Sequence, residues 1–131
     1  MDYQRLLDTA IEASVHAYTP YSHFKVGAAL LTADGKIYTG CNIENASYSA
    51  TNCAERTAIF KAVSEGCTDF KAIAIIGHKE NKPLQFCPPC GTCRQVLAEF
   101  CEPDFEIVLM NDAREIKVYT LAELLPEHFS L

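Results

Sequence analysis

At 131 residues the chain is sized for one domain, residues 1–131, with a core of its own. Apolar residues make up 49%, which suits a compact globule with some burial between subunits. The formal net charge is −6 with no run of Lys or Arg, whereas a nucleic acid polymer needs a basic stripe, so a small neutral ligand is expected instead.

No segment approaches the ~18 consecutive apolar residues of a membrane span. Met1 to Ala10 carries Asp2, Arg5 and Asp8 and lacks the apolar run of a signal peptide. No membrane partner is expected, and the seven cysteines should sit reduced in the cytoplasm.

Residues 3–18 read as an amphipathic helix, with Leu6, Leu7, Ala10, Ile11, Ser14, Val15 and Tyr18 at helical spacing. Asp2 is its N-cap and Pro20 its stop. Phe24 to Leu31 and Lys36 to Ile43 read as two strands joined at Asp34-Gly35, a strong hairpin signal. The second strand runs out into Cys41-Asn42-Ile43-Glu44-Asn45, where polar residues cluster.

A second helix is predicted from near Cys53 to about Ser64, with Ala54, Ala58, Ile59, Ala62 and Val63 on its apolar face. Gly66 follows as its C′ residue. Lys71 to Gly77 is nearly all apolar, as in a strand covered on both faces. After a loop from His78 to Pro89, a third helix spans about Gly91 to Cys101, and Pro103 ends it. Phe105 to Met110 is a second buried strand, and Glu115 to Tyr119 a short alternating one. Thr120 with Glu123 is a capping-box pattern for a last short helix closed by Pro126. Cys41 and Cys67 are expected to be small buried hydrophobes.

The order α-β-β-α-β-α-β-β-α implies parallel crossovers in its middle. It predicts an α/β fold, a three-layer α/β/α sandwich around a five-stranded mixed sheet. Both central helices begin just past a strand's C-terminal end, where open α/β sheets bind ligands.

Those two helix starts carry cysteines. Cys90-x-x-Cys93 alone also fits redox sites and structural zinc knuckles. Cys53, 37 residues upstream of Cys90, makes a set of three. Three protein ligands leave the fourth tetrahedral position for water, the mark of a catalytic zinc site, so Zn2+ is the expected cofactor. The helix N-termini favour thiolate over thiol. Three thiolates around a dication leave about one net negative charge. A nearby cation should offset it, with Arg56 favoured and Arg94 the second candidate.

Glu55 has two readings. Asn52-x-x-Glu55 matches a capping box. A carboxylate two residues past a metal ligand can instead face the metal's water and carry its proton.

Cys53-Ala54-Glu55 with Pro89-Cys90-Gly91-Thr92-Cys93 resembles the zinc nucleoside deaminases in their three-cysteine form. The likeness continues through Pro20 to Leu30, Gly40 to Tyr48, Cys90 to Leu97, and the tail Leu124-Leu125-Pro126 with Phe129. It is the small, homotetrameric type of cytidine deaminase that the chain is similar to. The resemblance implies hydrolytic deamination of cytidine and 2′-deoxycytidine to the uridine products, releasing ammonia, in pyrimidine salvage. It implies that Cys53, Cys90 and Cys93 hold zinc and that Glu55 is the catalytic proton shuttle.

It implies further that Asn42 and Glu44 hold the ribose hydroxyls and that Phe24 packs against the nucleoside. Backbone groups of Ala54 and Cys90 would meet the base. Phe129 would reach into a neighbouring subunit's site, placing the sites at the interfaces of a homotetramer. From the residues alone, Asn42 and Glu44 read as a polar strand exit, Phe24 as core and Phe129 as local packing. The chain departs from the family at Pro88, where Ser is frequent; Pro keeps the backbone carbonyl and removes any hydroxyl role. Cys87 is a candidate competing thiol beside the metal segment.

Other readings compete. A deaminase of another cytosine-containing compound, such as blasticidin S, would share the metal motif. A non-enzymatic zinc or redox module would use Cys87, Cys90 and Cys93 as structural thiols, and Cys53-x-Glu55 argues against it. Editing of polymeric nucleic acid conflicts with the acidic charge.

Overall fold

The computed structural model describes residues 1–131. Its elements are α1 (Tyr3–Ser14), β1 (Phe24–Thr32), β2 (Ile37–Cys41), α2 (Ala54–Ser64), β3 (Phe70–Lys79), α3 (Gly91–Phe100), β4 (Glu106–Met110), β5 (Ile116–Thr120) and α4 (Leu121–Leu124). The expected order is present, with one added turn of 3₁₀ helix at Tyr48–Ala50.

Asp2 caps α1 as expected, its carboxylate accepting from the Arg5 amide. The helix is shorter than its periodicity suggests, ending at Ser14 rather than running to residue 18. The cause is a competing partner for the backbone. The Tyr18 amide donates to the Asn42 carbonyl at 3.0 Å, and the Glu44 amide donates to the Tyr18 carbonyl at 2.9 Å. A peptide group cannot serve a helix and that bridge together. Val15 and Tyr18, expected to face inward, are instead exposed.

Asp34-Gly35 turns the first hairpin, with Gly35 at φ +92°, a conformation that suits glycine. The Thr32 hydroxyl donates to Asp34 and accepts from the Lys36 amide, closing the turn from within.

The strands form one mixed sheet in the order β2-β1-β3-β4-β5. β1 is antiparallel to β2 and to β3, β3 is parallel to β4, and β4 is antiparallel to β5. The β3-α3-β4 crossover therefore joins neighbours, and the β2-α2-β3 crossover passes over β1.

Side-chain alternation divides the core into two halves. Ala28 and Leu30, Ile73 and Ile75, and Ile107 and Leu109 point to one face, where α2, α3 and α4 cover them. Ala29, Ala72, Ala74, Ile76, Val108 and Met110 point to the other, under Leu6, Leu7 and Ala10 of α1. The result is the α/β/α sandwich, with α1 alone in one layer. The fully buried run Ala72 to Ile76 is the strand covered on both faces. Cys41 and Cys67 are half-buried, less than expected, because each sits near an edge of the sheet or the end of α2.

β2 and β3 end on the same side of the sheet, since Gly27 pairs with Cys41 and with Ile76. α2 and α3 both start there. Two helix N-termini thus converge over the strand ends, as in other open α/β sheets.

Candidate metal and catalytic site

Cys53 and Cys90 are the N-cap residues of α2 and α3, both with extended backbone. Cys93 lies in the first turn of α3 and is buried. The three sulfurs lie within 4.8 Å of one another. A tetrahedral ion at about 2.3 Å from each would hold two sulfurs roughly 3.8 Å apart, so a small contraction suffices and the three residues fit zinc. Cys87 does not belong to this cluster.

Electrostatics of the thiols agree. The Cys53 thiol is held down to about 5, first by the Cys93 S–H and then by Arg56. The Cys93 thiol is pushed up by that neighbouring thiolate and by burial. Two sulfurs sharing one proton offer a position at which a dication replaces the proton.

Arg56, one turn into α2, donates from Nη2 to Cys53 Sγ at 3.2 Å. Its Nε is buried without a partner. Arg94 is used elsewhere, donating to the Pro89 carbonyl at 2.7 Å and to the Leu124 carbonyl at 2.8 Å. It ties the cysteine loop to α4.

Glu55 is only 5% exposed. Burial pushes its carboxyl up to about 7, and the Cys53 thiolate adds to the rise. The capping-box reading of Asn52 and Glu55 fails. The N-cap is Cys53, and no side chain caps the helix. Asn52 is turned away, its amide donating to Thr57 Oγ1 and its backbone bridging to Ile43. The same pattern at Thr120 and Glu123 does form a reciprocal capping box.

Cys87 and Phe24 share the space left by Gly77. A Cβ there would lie 2.8 Å from Cys87 Sγ and 3.0 Å from Phe24 Cε1. Burial, followed by the charges of Glu55 and Cys53, pushes the Cys87 thiol up to about 12. It is a protonated packing residue rather than a competing ligand. Phe24 is half-buried, with its ring edge at this wall.

Asn42 extends the sheet where β2 stops. Its Oδ1 accepts from the Val26 amide at 2.9 Å, and its Nδ2 donates to the Phe24 carbonyl at 2.8 Å. One N–H and one lone pair of the amide remain for a ligand. Glu44 accepts from the Tyr21 and Ser22 amides and from the Ser22 hydroxyl. Burial raises its pKa, but these donors outweigh it and leave the carboxyl below its ordinary value. Glu44 lines an open recess of about 370 Å³ with Tyr21, Ser22, Tyr48 and Thr51. None of the three cysteines lines that recess.

Ala54 is fully buried as the first residue of α2. Phe129 is 68% exposed. Its backbone is held at both groups by Gln95. Gln95 Nε2 donates to the Phe129 carbonyl at 2.8 Å, and the Phe129 amide donates to Oε1 at 3.1 Å. Sequence reasoning missed Gln95, and it missed the edge-on pair of Tyr21 and Tyr48 with centroids 6.2 Å apart. Their partners are distant in sequence, and no local pattern marks them.

A family profile described as the cytidine and deoxycytidylate deaminase zinc-binding region matches residues 1–109. A cytidine deaminase of Sporosarcina psychrophila is 53% identical over 130 residues, 99% of this chain and 93% of that protein. The crystal structure of a cytidine deaminase from Burkholderia pseudomallei superposes with a TM-score of 0.88 at 47% identity, covering 98% of this chain and 100% of the other. A blasticidin-S deaminase of Bacillus cereus is more distant, 33% identical over 125 residues, 92% of this chain and 87% of that protein.

Proposed function

The chain belongs to the cytidine and deoxycytidylate deaminase family, and from that premise we propose that it hydrolyses the exocyclic amine of cytidine and of 2′-deoxycytidine. The products are uridine or 2′-deoxyuridine and ammonia. The observation that carries this reading is the buried Glu55, two residues from Cys53 in a cluster of three cysteine sulfurs.

Cys53, Cys90 and Cys93 are the zinc ligands in this reading. A zinc ion held by them would lower the pKa of a coordinated water to about 7, the chemistry that makes a nucleophile for C4 of the base. Glu55 would take one proton from the attacking water and pass it to ring N3, then take the second from the new hydroxyl at C4 and deliver it to the departing amine. A carboxyl held near 7 suits a group that must accept and donate in one cycle. Arg56 offsets the excess negative charge of three thiolates, as its bond to Cys53 Sγ supports.

Asn42 and Glu44 take the ribose hydroxyls with the hydrogen-bonding capacity they have left. Phe24 packs on the nucleoside, and the Ala54 and Cys90 backbones face the base. The exposed Phe129 and Ile43, with exposed Tyr21 and Tyr48 lining the Glu44 recess, support a homotetramer with sites completed between subunits. We place the enzyme in the cytoplasm, in pyrimidine salvage. Seven free cysteines suit a reducing compartment, and no helix is long and apolar enough to cross a membrane.

Ammonia release from cytidine, 2′-deoxycytidine and blasticidin S under one set of conditions tests the substrate. Turnover of the two nucleosides with little of blasticidin S is expected. The reverse order would assign the chain to its more distant relative's reaction.

A further inference from the structure

Gly40 lies in β2 directly beneath the first turn of α2 and is buried. A Cβ at this position would sit 2.3 Å from the Ala54 carbonyl oxygen, 2.6 Å from the Ala58 amide nitrogen and 3.1 Å from Thr57 Cβ. The first two atoms are the acceptor and donor spaced to close one helical turn. They are backbone, so they cannot swing aside as a side chain can. Ordinary contact distances of about 3.5 Å would require α2 to lift by roughly 1 Å.

Ala54 stands between Cys53 and Glu55. Whatever sets the height of that turn over the sheet also sets the positions of a zinc ligand and the proton carrier. Cys90 and Cys93 reside on α3, which is anchored separately through Arg94 to Pro89 and Leu124. Lifting α2 therefore displaces Cys53 and Glu55 relative to the other two sulfurs. Two further ties join α2 to the same strand. Lys61 Nζ donates to the Thr39 carbonyl at 2.5 Å, and Asn52 exchanges backbone bonds with Ile43 just past β2.

We propose that Gly40 is a positioning residue for the zinc site, acting through the backbone of Ala54 to seat Cys53 and Glu55 against Cys90 and Cys93. The inference rests on the assignment of those three cysteines as zinc ligands.

The sheet supplies its own control. Gly27 in β1 also lies under a helix, and a Cβ there would meet the Ala10 carbonyl at 2.0 Å and the Ser14 amide at 2.8 Å. That helix is α1, in the opposite layer and without a zinc ligand. Gly40→Ala and Gly27→Ala should both lower thermal stability. Only Gly40→Ala should disturb the metal.

The test is zinc release to a chelator from the folded, zinc-loaded proteins, with the absorption bands of the cobalt-substituted forms recorded beside it. Gly40→Ala is expected to release zinc at least about tenfold faster, the scale of losing a group that orients a ligand, and to shift the cobalt bands. Gly27→Ala should stay within about twofold of wild type on that same scale. Zinc release and cobalt bands matching wild type in Gly40→Ala, with stability lowered as in Gly27→Ala, would overturn the proposal. If Gly40→Ala does not fold, Lys61→Met takes its place by loosening α2 from β2 without a clash; faster zinc release supports the proposal and an unchanged rate overturns it. Wild-type protein that binds no zinc would instead overturn the ligand assignment.

Discussion

The guanidinium of Arg56 donates to Cys53 Sγ at 3.2 Å, which places a permanent cation against one of three sulfurs gathered for a metal. With zinc bound, that cation opposes the charge of the third thiolate. Removing it in Arg56→Gln makes the site more negative, so the metal acidifies its water less. Turnover should fall about 10- to 100-fold. The acidic limb of the pH–kcat profile should move to higher pH, because losing a positive charge raises the pKa of the groups beside it. Zinc analysis and a pH series check this, and an unmoved profile would contradict the charge-balance role.

Asn42 stitches β1 beyond the end of β2, holding the Val26 amide and the Phe24 carbonyl. Asn42→Ala leaves both groups unpaired in a partly buried setting, at a cost of about 1–3 kcal/mol for each group denied water. Thermal unfolding should register the loss, and KM for cytidine should rise as Phe24 loses its support. A variant with wild-type Tm would show that water replaces the amide.

Glu44 predicts a pH dependence of stability. Its folded pKa lies below the ordinary carboxylate value, because bonds from Ser22 and Tyr21 outweigh burial. The stabilisation is therefore complete above the unfolded pKa and is lost as pH falls through the folded value. Wild type should exceed Glu44→Gln in Tm at pH 7, and the gap should close as the pH falls through the folded pKa. A gap independent of pH would place the effect outside this carboxylate.

Phe129 and Gln95 should behave as a pair. The ring is 68% exposed while its backbone is clamped. Phe129→Ala should leave Tm nearly unchanged and raise KM for cytidine about tenfold, the scale of one base–aromatic stack. Gln95→Leu should act in the same direction by freeing the tail. Unchanged KM in both variants would remove the ring from the substrate site.

The legible parts of the chain were those whose patterns are satisfied locally. Asp34-Gly35 turns a hairpin, Thr120 and Glu123 cap α4, and the apolar run through Ile76 is the doubly covered strand. Asn52 and Glu55 show where local pattern fails. The spacing is that of Thr120 and Glu123, yet Asn52 is drawn to Ile43 and Thr57, so Cys53 becomes the N-cap and Glu55 is left free to face the sulfurs.

The early end of α1 has a similar origin, since Tyr18 is held by Asn42 and Glu44, just past β2 and 24 or more residues away. The cluster of three sulfurs was readable because chemistry limits which residues can bind zinc. The division of labour between Arg56 and Arg94 was not, because both lie one helical turn from cysteine and only the packed structure shows which carbonyls Arg94 must satisfy.

The most direct test of the account measures zinc content and ammonia release from cytidine on the same samples of wild type and Glu55→Gln. The account predicts about one zinc per chain in both, as three thiolates and an open position require. It also predicts turnover in wild type and a loss of about 100-fold or more in the variant, the scale of general acid–base catalysis. A zinc-loaded Glu55→Gln with near wild-type turnover, or a zinc-loaded wild type that releases no ammonia from cytidine, would contradict it.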